Sequence, residues 1–391
     1  MEVLGNRKRI VKVKKLSPYL NEIIVVLSIM QMVLSSTITA LEVFQAPVEL
    51  TLLALLALGC STIKLNKWQV FLIFILLIVT AFSLFTTDIT SFAIVGKNNF
   101  LGVLTLIYFS KVPFHSRLIL LAFISSVLLL VVNFIIPEMG EMLVVLSAKK
   151  EYNLSRFGGF FLNAHFNAYF IAIYFIYFGQ RKYAYGLCGV IALYVTASKT
   201  MGLSYIGQIA TRLPVTKFMT KHHRKLYTFI FLSFFAIFVV FITNYYTILN
   251  YIIQKSEMDE NRHNSVIVIL VQAGTPKYYQ QLLNPFPGIY QPKGDKYTKY
   301  RPKTGNQLHQ GANEIGYFGL VNQAGIFLSL AYLLMLLKNA RFYSVFILLT
   351  LVHYNFIFTP LSVYMMVQFS RRIQIERNRR AYESRCRLVE R

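Results

Sequence analysis

The residues with chemical potential sit in short polar constellations between long apolar runs. The first is RFGGFFLNAHFNA, residues 156–168. If a helix begins near Arg156, then Asn163 and Asn167 follow at helical spacing and share a face with it. At about 100° per residue, His165 points away from that face. Amides inside an apolar helix are costly without partners. The face therefore reads as a polar wall lining a cavity, with Arg156 at its lip for an anionic group, or as hydrogen-bonding glue between helices. The second constellation is TASKT, residues 196–200, where Lys199 is expected near the level of Arg156; the plainer reading is an interfacial lysine that snorkels. The third is NRHNS, residues 261–265. Arg262 is either an exposed loop arginine or a guanidinium fork for phosphate oxygens. The fourth is LHQGANEIGYFGLVNQAG, residues 308–325, with His309 at its start and Asn313 and Glu314 following. A neutral imidazole accepts a proton from an attacking hydroxyl near neutral pH, although a lone interfacial histidine is commonly structural.

Other chemistries lack their residues. There is no D-x-D pair for a divalent metal on a nucleotide sugar, no H-E-x-x-H and no G-x-S-x-G. Glu257 and Glu260 are close in sequence, but nothing else marks their loop. Cys60, Cys188 and Cys386 are not spaced for a metal site or a disulfide framework. A site built on cations, with no metal and no cofactor, is the expectation.

These groups must be held by apolar elements. Charged residues make up 14% of the 391 residues and hydrophobic ones 55%; soluble domains carry about 25% charged residues, so a membrane-embedded bundle is expected. A helix needs about 20 apolar residues to cross a bilayer. Apolar runs cover 23–41, 48–63, 68–86, 99–112, 118–136, 158–178, 183–197, 201–213, 226–248, 313–337, 342–357 and 359–370. The last two are either one long helix or a hairpin near Thr359 and Pro360. The first run lacks a small-residue cleavage site and is expected to be a retained helix, not a signal peptide.

The net charge of +24 is concentrated at the ends. Arg7 to Lys15 form one basic block and Arg371 to Arg391 the other. Flanking apolar spans, these blocks suit topology and anionic lipid headgroups better than nucleic acid. With the N-terminus inside, Lys64/Lys67, Lys111/Arg117, Arg181/Lys182, Arg212 to Lys225 and Lys338/Arg341 all fall inside. The basic C-terminus joins them only if the last runs form a hairpin. The expected fold is an all-α integral membrane protein of about twelve transmembrane helices. Its expected parts are a basic cytoplasmic tail (1–22), transmembrane helices (23–248), a large outward loop with a short interfacial stretch (249–312), further transmembrane helices (313–370) and a basic cytoplasmic tail (371–391).

Taken in order, Arg156, Asn163 and Asn167, then Thr196, Ser198 and Lys199, then Arg262, then His309, Asn313, Gly316 and Gly325 resemble the O-antigen polymerase and O-antigen ligase superfamily of bacterial envelope proteins. The likeness covers most of the chain. Two positions depart from that pattern. Lys199 stands where the family commonly has arginine, and Gln310 follows His309 where it often has asparagine. The resemblance implies a GT-C-like inner-membrane protein whose site faces the periplasm. It implies metal-independent glycosyl transfer between undecaprenyl-diphosphate-linked oligosaccharides, with lipid diphosphate leaving. His309 and Arg262 would be catalytic, and Arg156, Asn163, Asn167, Lys199 and Asn313 would bind substrate. Membrane lipids are the surrounding partners, a chain-length regulator protein is a candidate partner, and nucleic acid is not expected. A ligase acting on lipid A-core is the nearest alternative. A flippase for lipid-linked sugars is the more distant one.

Overall fold

The structure is a computed structural model. It describes residues 18–35, 43–86, 89–136, 159–161, 163–179, 183–195, 199–211, 316–351 and 357–389. Among these every regular element is helical: α1 (Pro18–Leu34), α2 (Gln45–Ser61), α3 (Lys67–Thr86), α4 (Ile89–Lys111), α5 (Leu118–Ile135), a 3₁₀ turn (Gly159–Phe161), α6 (Ala164–Gly179), α7 (Tyr183–Val195), α8 (Lys199–Ala210), α9 (Gly316–Asn339), a second 3₁₀ turn (Arg341–Tyr343), α10 (Ser344–Thr350) and α11 (Pro360–Val389).

Local chemistry sets several starts. Pro18 and Pro360 open α1 and α11, where the missing N–H breaks no helical bond. Asn66 and Gln69 form a reciprocal capping box on α3. The Gln69 N–H donates to Asn66 Oδ1 at 2.9 Å, and the Asn66 N–H donates to Gln69 Oε1 at 2.9 Å.

The core lies along α4 and the first third of α11. Leu101 to Phe109 are buried without interruption, as are Leu361 to Ser370. α4 packs on α2, α3, α9 and α11, while α11 also packs on α1, α6 and α9. Gly59 lets α2 approach the Tyr108 ring of α4; a Cβ there would lie 2.6 Å from a ring carbon.

The outer faces are apolar. On α3, Trp68, Val70, Phe71, Phe74, Leu77 and Phe85 are exposed. Lys67–Phe85 is long and apolar enough to cross a membrane, and so is the pair Gln323–Asn339 and Arg341–Thr350 if its 100° bend lies within one span. Pro18–Leu34, Gln45–Ser61 and Leu118–Asn133 are shorter apolar helices. Exposed apolar surface of this extent marks a membrane or an interaction face.

Three boundaries differ from the apolar runs. α4 begins at Ile89 and not near 99, so Lys97 and Asn99 lie inside a helix. The last run ends at 370 but its helix does not: α11 continues to Val389, with Arg372–Glu376 at 3.6 Å and Arg379–Glu383 at 2.8 Å as i,i+4 pairs. Residues 342–370 are not one helix. α10 ends at Thr350 and α11 starts at Pro360, and at about 1.5 Å per residue α10 spans only about 10 Å. The run 226–248 and the loop 249–312 lie outside the described residues.

Candidate functional site

Polar side chains gather at the two ends of the bundle. One end is a staple around the turn between α4 and α5. Gln368 of α11 donates to the carbonyls of Phe109 (2.8 Å) and Val112 (2.9 Å) and accepts from the Phe114 N–H (3.1 Å). Tyr364 accepts from the Ser116 N–H at 2.9 Å, and the Ser116 hydroxyl donates to Glu22 of α1 at 2.5 Å. Each of these groups is satisfied within the fold, which is what a structural lock requires.

The opposite end is richer. It is formed by the end of α1, the starts of α2, α4 and α9, and the start of α6. Glu49 of α2 is 1% exposed. Its Oε1 accepts from Gln45 at 2.9 Å and from Gln31 of α1 at 3.3 Å, and its Oε2 pairs with Lys97 of α4. The Lys97 side chain keeps 23% of its surface exposed, whereas the carboxylate it pairs with is enclosed. Gln31 Oε1 is buried and has no partner among the described residues.

Beside this cluster, α9 is interrupted. Gly325 has φ 69° and ψ 164° inside the helix, a conformation favoured by glycine. The interruption frees backbone carbonyls, and side chains take them up. Asn99 of α4 donates to the Gln323 carbonyl at 3.0 Å, and the Ser329 hydroxyl donates to the Leu320 carbonyl at 3.0 Å. The Gln323 amide returns a bond to Asn99 Oδ1 at 3.3 Å. Non-helical backbone inside an apolar bundle persists only where it is re-satisfied in this way or lines a cavity.

The Asn-rich segment has a different start from the one its spacing suggests. The helix begins at Ala164, not near Arg156. Gly159 takes φ 56° and turns the chain ahead of it. Asn163 is therefore the N-cap and not part of a helical wall. Its Oδ1 accepts from the N–H groups of His165 (2.9 Å) and Phe166 (3.3 Å). Asn167 follows within the first turn and its N–H donates to the Asn163 carbonyl at 2.9 Å. Its side chain is fully buried, and among the described residues neither Nδ2 nor Oδ1 finds a partner. Gly159 lies directly over it: a Cβ there would stand 2.3 Å from Asn167 Nδ2.

Lys199 is the first residue of α8, which packs on α6. Arg156, Thr196, Ser198, Arg262, His309 and Asn313 lie outside the described residues. Of the expected site, the structure thus brings Asn163 and Asn167 together on one turn. Glu49, Lys97, Gln31, Asn99 and Gln323 were not anticipated. The usable signal was an ionisable residue on each of two apolar helices, since such residues are costly unless paired or functional. Among the described residues no group of three or more His, Cys, Asp or Glu side chains stands ready to hold a metal ion. No protein-family model, no curated protein and no solved structure matches the chain.

Proposed function

We propose that this chain is a membrane-embedded glycosyltransferase of the O-antigen polymerase type, joining lipid-diphosphate-linked oligosaccharide repeat units at the outer face of the bacterial inner membrane. About twelve transmembrane helices carry the site. The observation that carries the reading is Asn167. A fully buried carboxamide with both polar atoms unpartnered costs stability, and it stands in the segment that resembles the family's Asn-rich helix. Such a cost is expected where a ligand supplies the missing partner.

The chemistry is a single displacement. The acceptor sugar's hydroxyl oxygen forms a bond to the donor's anomeric carbon. The bond from that carbon to the diphosphate oxygen breaks, and the lipid diphosphate departs with the electron pair. His309 takes the hydroxyl proton. Arg262 and Arg156 stabilise the charge growing on the leaving oxygen. Lys199, Asn167 and Asn313 hold the substrates, and Asn163 contributes by fixing the first turn that carries Asn167.

A transporter for lipid-linked sugars is a second reading, favoured by the interrupted α9, because discontinuous helices mark substrate sites in transporters. Purified protein supplied with lipid-linked repeat units separates the readings. The polymerase yields a ladder of extended lipid-linked products. Label transferred only to added lipid A-core indicates a ligase. No covalent product, with substrate moved across a vesicle membrane, indicates a transporter.

A further inference from the structure

The unpartnered amide of Asn167 has a counterpart on the neighbouring helix. Among the described residues, the buried side-chain polar atoms without a hydrogen-bond partner include both amide atoms of Asn167, Oδ1 of Asn133 and the hydroxyl of Ser126. Asn133 and Ser126 belong to α5, where they are 2% and 0% exposed. The buried stripe of α5 is Ile119, Ala122, Phe123, Ser126, Leu130 and Asn133, one face of a helix. The described elements packed against α5 are α6, α7 and the Gly159–Phe161 turn.

α5 and α6 run antiparallel. The start of α5 is tied to α11 through Ser116 and Tyr364. The end of α6 meets the same stretch of α11, where Tyr177 stacks on Phe369 at 4.6 Å. Between these helices Phe123 stacks on Tyr174, with centroids 4.1 Å apart and planes at 14°. Counting outward from that stack at about 1.5 Å per residue, Asn133 lies about 15 Å away on α5 and Asn167 about 10 Å away on α6. The two amides therefore stand within about one helical turn of the same level, on helices that share the Gly159 turn as a neighbour.

We propose that Asn133 and Asn167, with Ser126 deeper in the same stripe, form a sugar-binding subsite that reads the hydroxyls of an oligosaccharide. The assignment rests on the glycosyl-transfer reading above and extends it to residues outside the family-like motifs. A carboxamide offers a donor pair and an acceptor side by side, which matches vicinal hydroxyls that are themselves donors and acceptors. The turn at Gly159 rests on the Asn167 amide, so the sugar reaches it when that turn moves aside. Asn133 and Asn167 are specificity-determining groups and take no part in moving the proton.

The test joins stability to binding. An amide with no partner in the fold is replaceable by a leucine of similar size without loss of stability, whereas an amide that the fold uses is not. Asn133→Leu and Asn167→Leu are made in the full chain in detergent micelles. Asn133→Ala and Asn167→Ala accompany them, removing each amide without adding volume. Thermal unfolding is followed with two probes: free repeat-unit oligosaccharide released by mild acid from the host's lipid-linked pool, and undecaprenyl diphosphate carrying no sugar. The expected result is an unchanged or raised Tm for the leucine variants and about tenfold or greater weakening of oligosaccharide binding in all four. Protection by the sugar-free lipid stays as in the wild type. If oligosaccharide binding is unchanged while the wild type still polymerises, the subsite is wrong and the glycosyl-transfer reading stands. If the leucine and alanine variants both lose stability and bind sugar normally, the amides are structural and the subsite is again wrong. A wild type that neither binds oligosaccharide nor extends it overturns both.

Discussion

Replacing Lys97 by methionine removes the counter-charge from a carboxylate that the fold cannot expose. Glu49 is 1% exposed and, among the described residues, retains the amide donors of Gln45 and Gln31, at 2.9 and 3.3 Å. Breaking a buried pair from one side costs about 3–5 kcal/mol. The Lys97 side chain is 23% exposed, so solvent already screens part of the attraction, and about 2–4 kcal/mol is expected for Lys97→Met. The reverse change is milder. Glu49→Gln leaves Lys97 free to turn its ammonium to the rim, and costs about 1–2 kcal/mol. The double variant Glu49→Leu with Lys97→Met leaves no buried charge and returns to within about 1 kcal/mol of the wild type. Reversible unfolding in mixed micelles reads all three values. Equal costs for the single variants, or a Lys97→Met variant as stable as the wild type, would refute the argument. Either result would mean that Glu49 is not an enclosed carboxylate held by Lys97.

Other substitutions probe the remaining features. Asn163→Ala loses the cap of α6 and about 1 kcal/mol, while Asn163→Asp keeps the cap and retains both stability and glycan extension; an inactive but stable Asp variant would show that the amide does more than cap. Gly159→Ala sets a Cβ against the Asn167 amide at φ 56° and lowers stability by about 1–3 kcal/mol, read as Tm. Gln368→Leu orphans two carbonyls and an N–H at the α4–α5 turn. It costs about 2–4 kcal/mol, with faster hydrogen exchange at residues 109–118.

Much of the helical framework was legible as apolar runs. The run 118–136 became Leu118–Ile135, and 183–197 became Tyr183–Val195, because uniform apolarity ended by polar or Gly/Pro residues is a local signal. The start of α4 was not legible for the opposite reason. Lys97 and Asn99 look like loop residues in sequence, yet their partners are Glu49, 48 residues away, and Gln323, 224 residues away. Only the tertiary fold makes them affordable inside a helix. The helical C-terminal segment was obscured by its arginines, whose i,i+4 acids support it on the exposed side. For the asparagines that spacing singled out, one helix start decided the geometry. Asn163 immediately before a long apolar run is a cap signal that spacing from Arg156 overrode. Asn133, a lone amide at the end of LLLVVNF, carried no motif, and only its burial gives it meaning.

The proposed chemistry requires its cations and imidazole to face outward, and accessibility labelling tests that without knowledge of the sugar. With Cys60, Cys188 and Cys386 replaced, single cysteines are introduced as Ser256→Cys and Thr304→Cys. A companion protein retains Cys386 alone. Intact cells are treated with a membrane-impermeant maleimide. Labelling is expected at residues 256 and 304 in intact cells, and at Cys386 only after permeabilisation. Labelling of Cys386 in intact cells, with residues 256 and 304 reached only after permeabilisation, would put Arg262 and His309 in the wrong compartment and contradict the proposed chemistry.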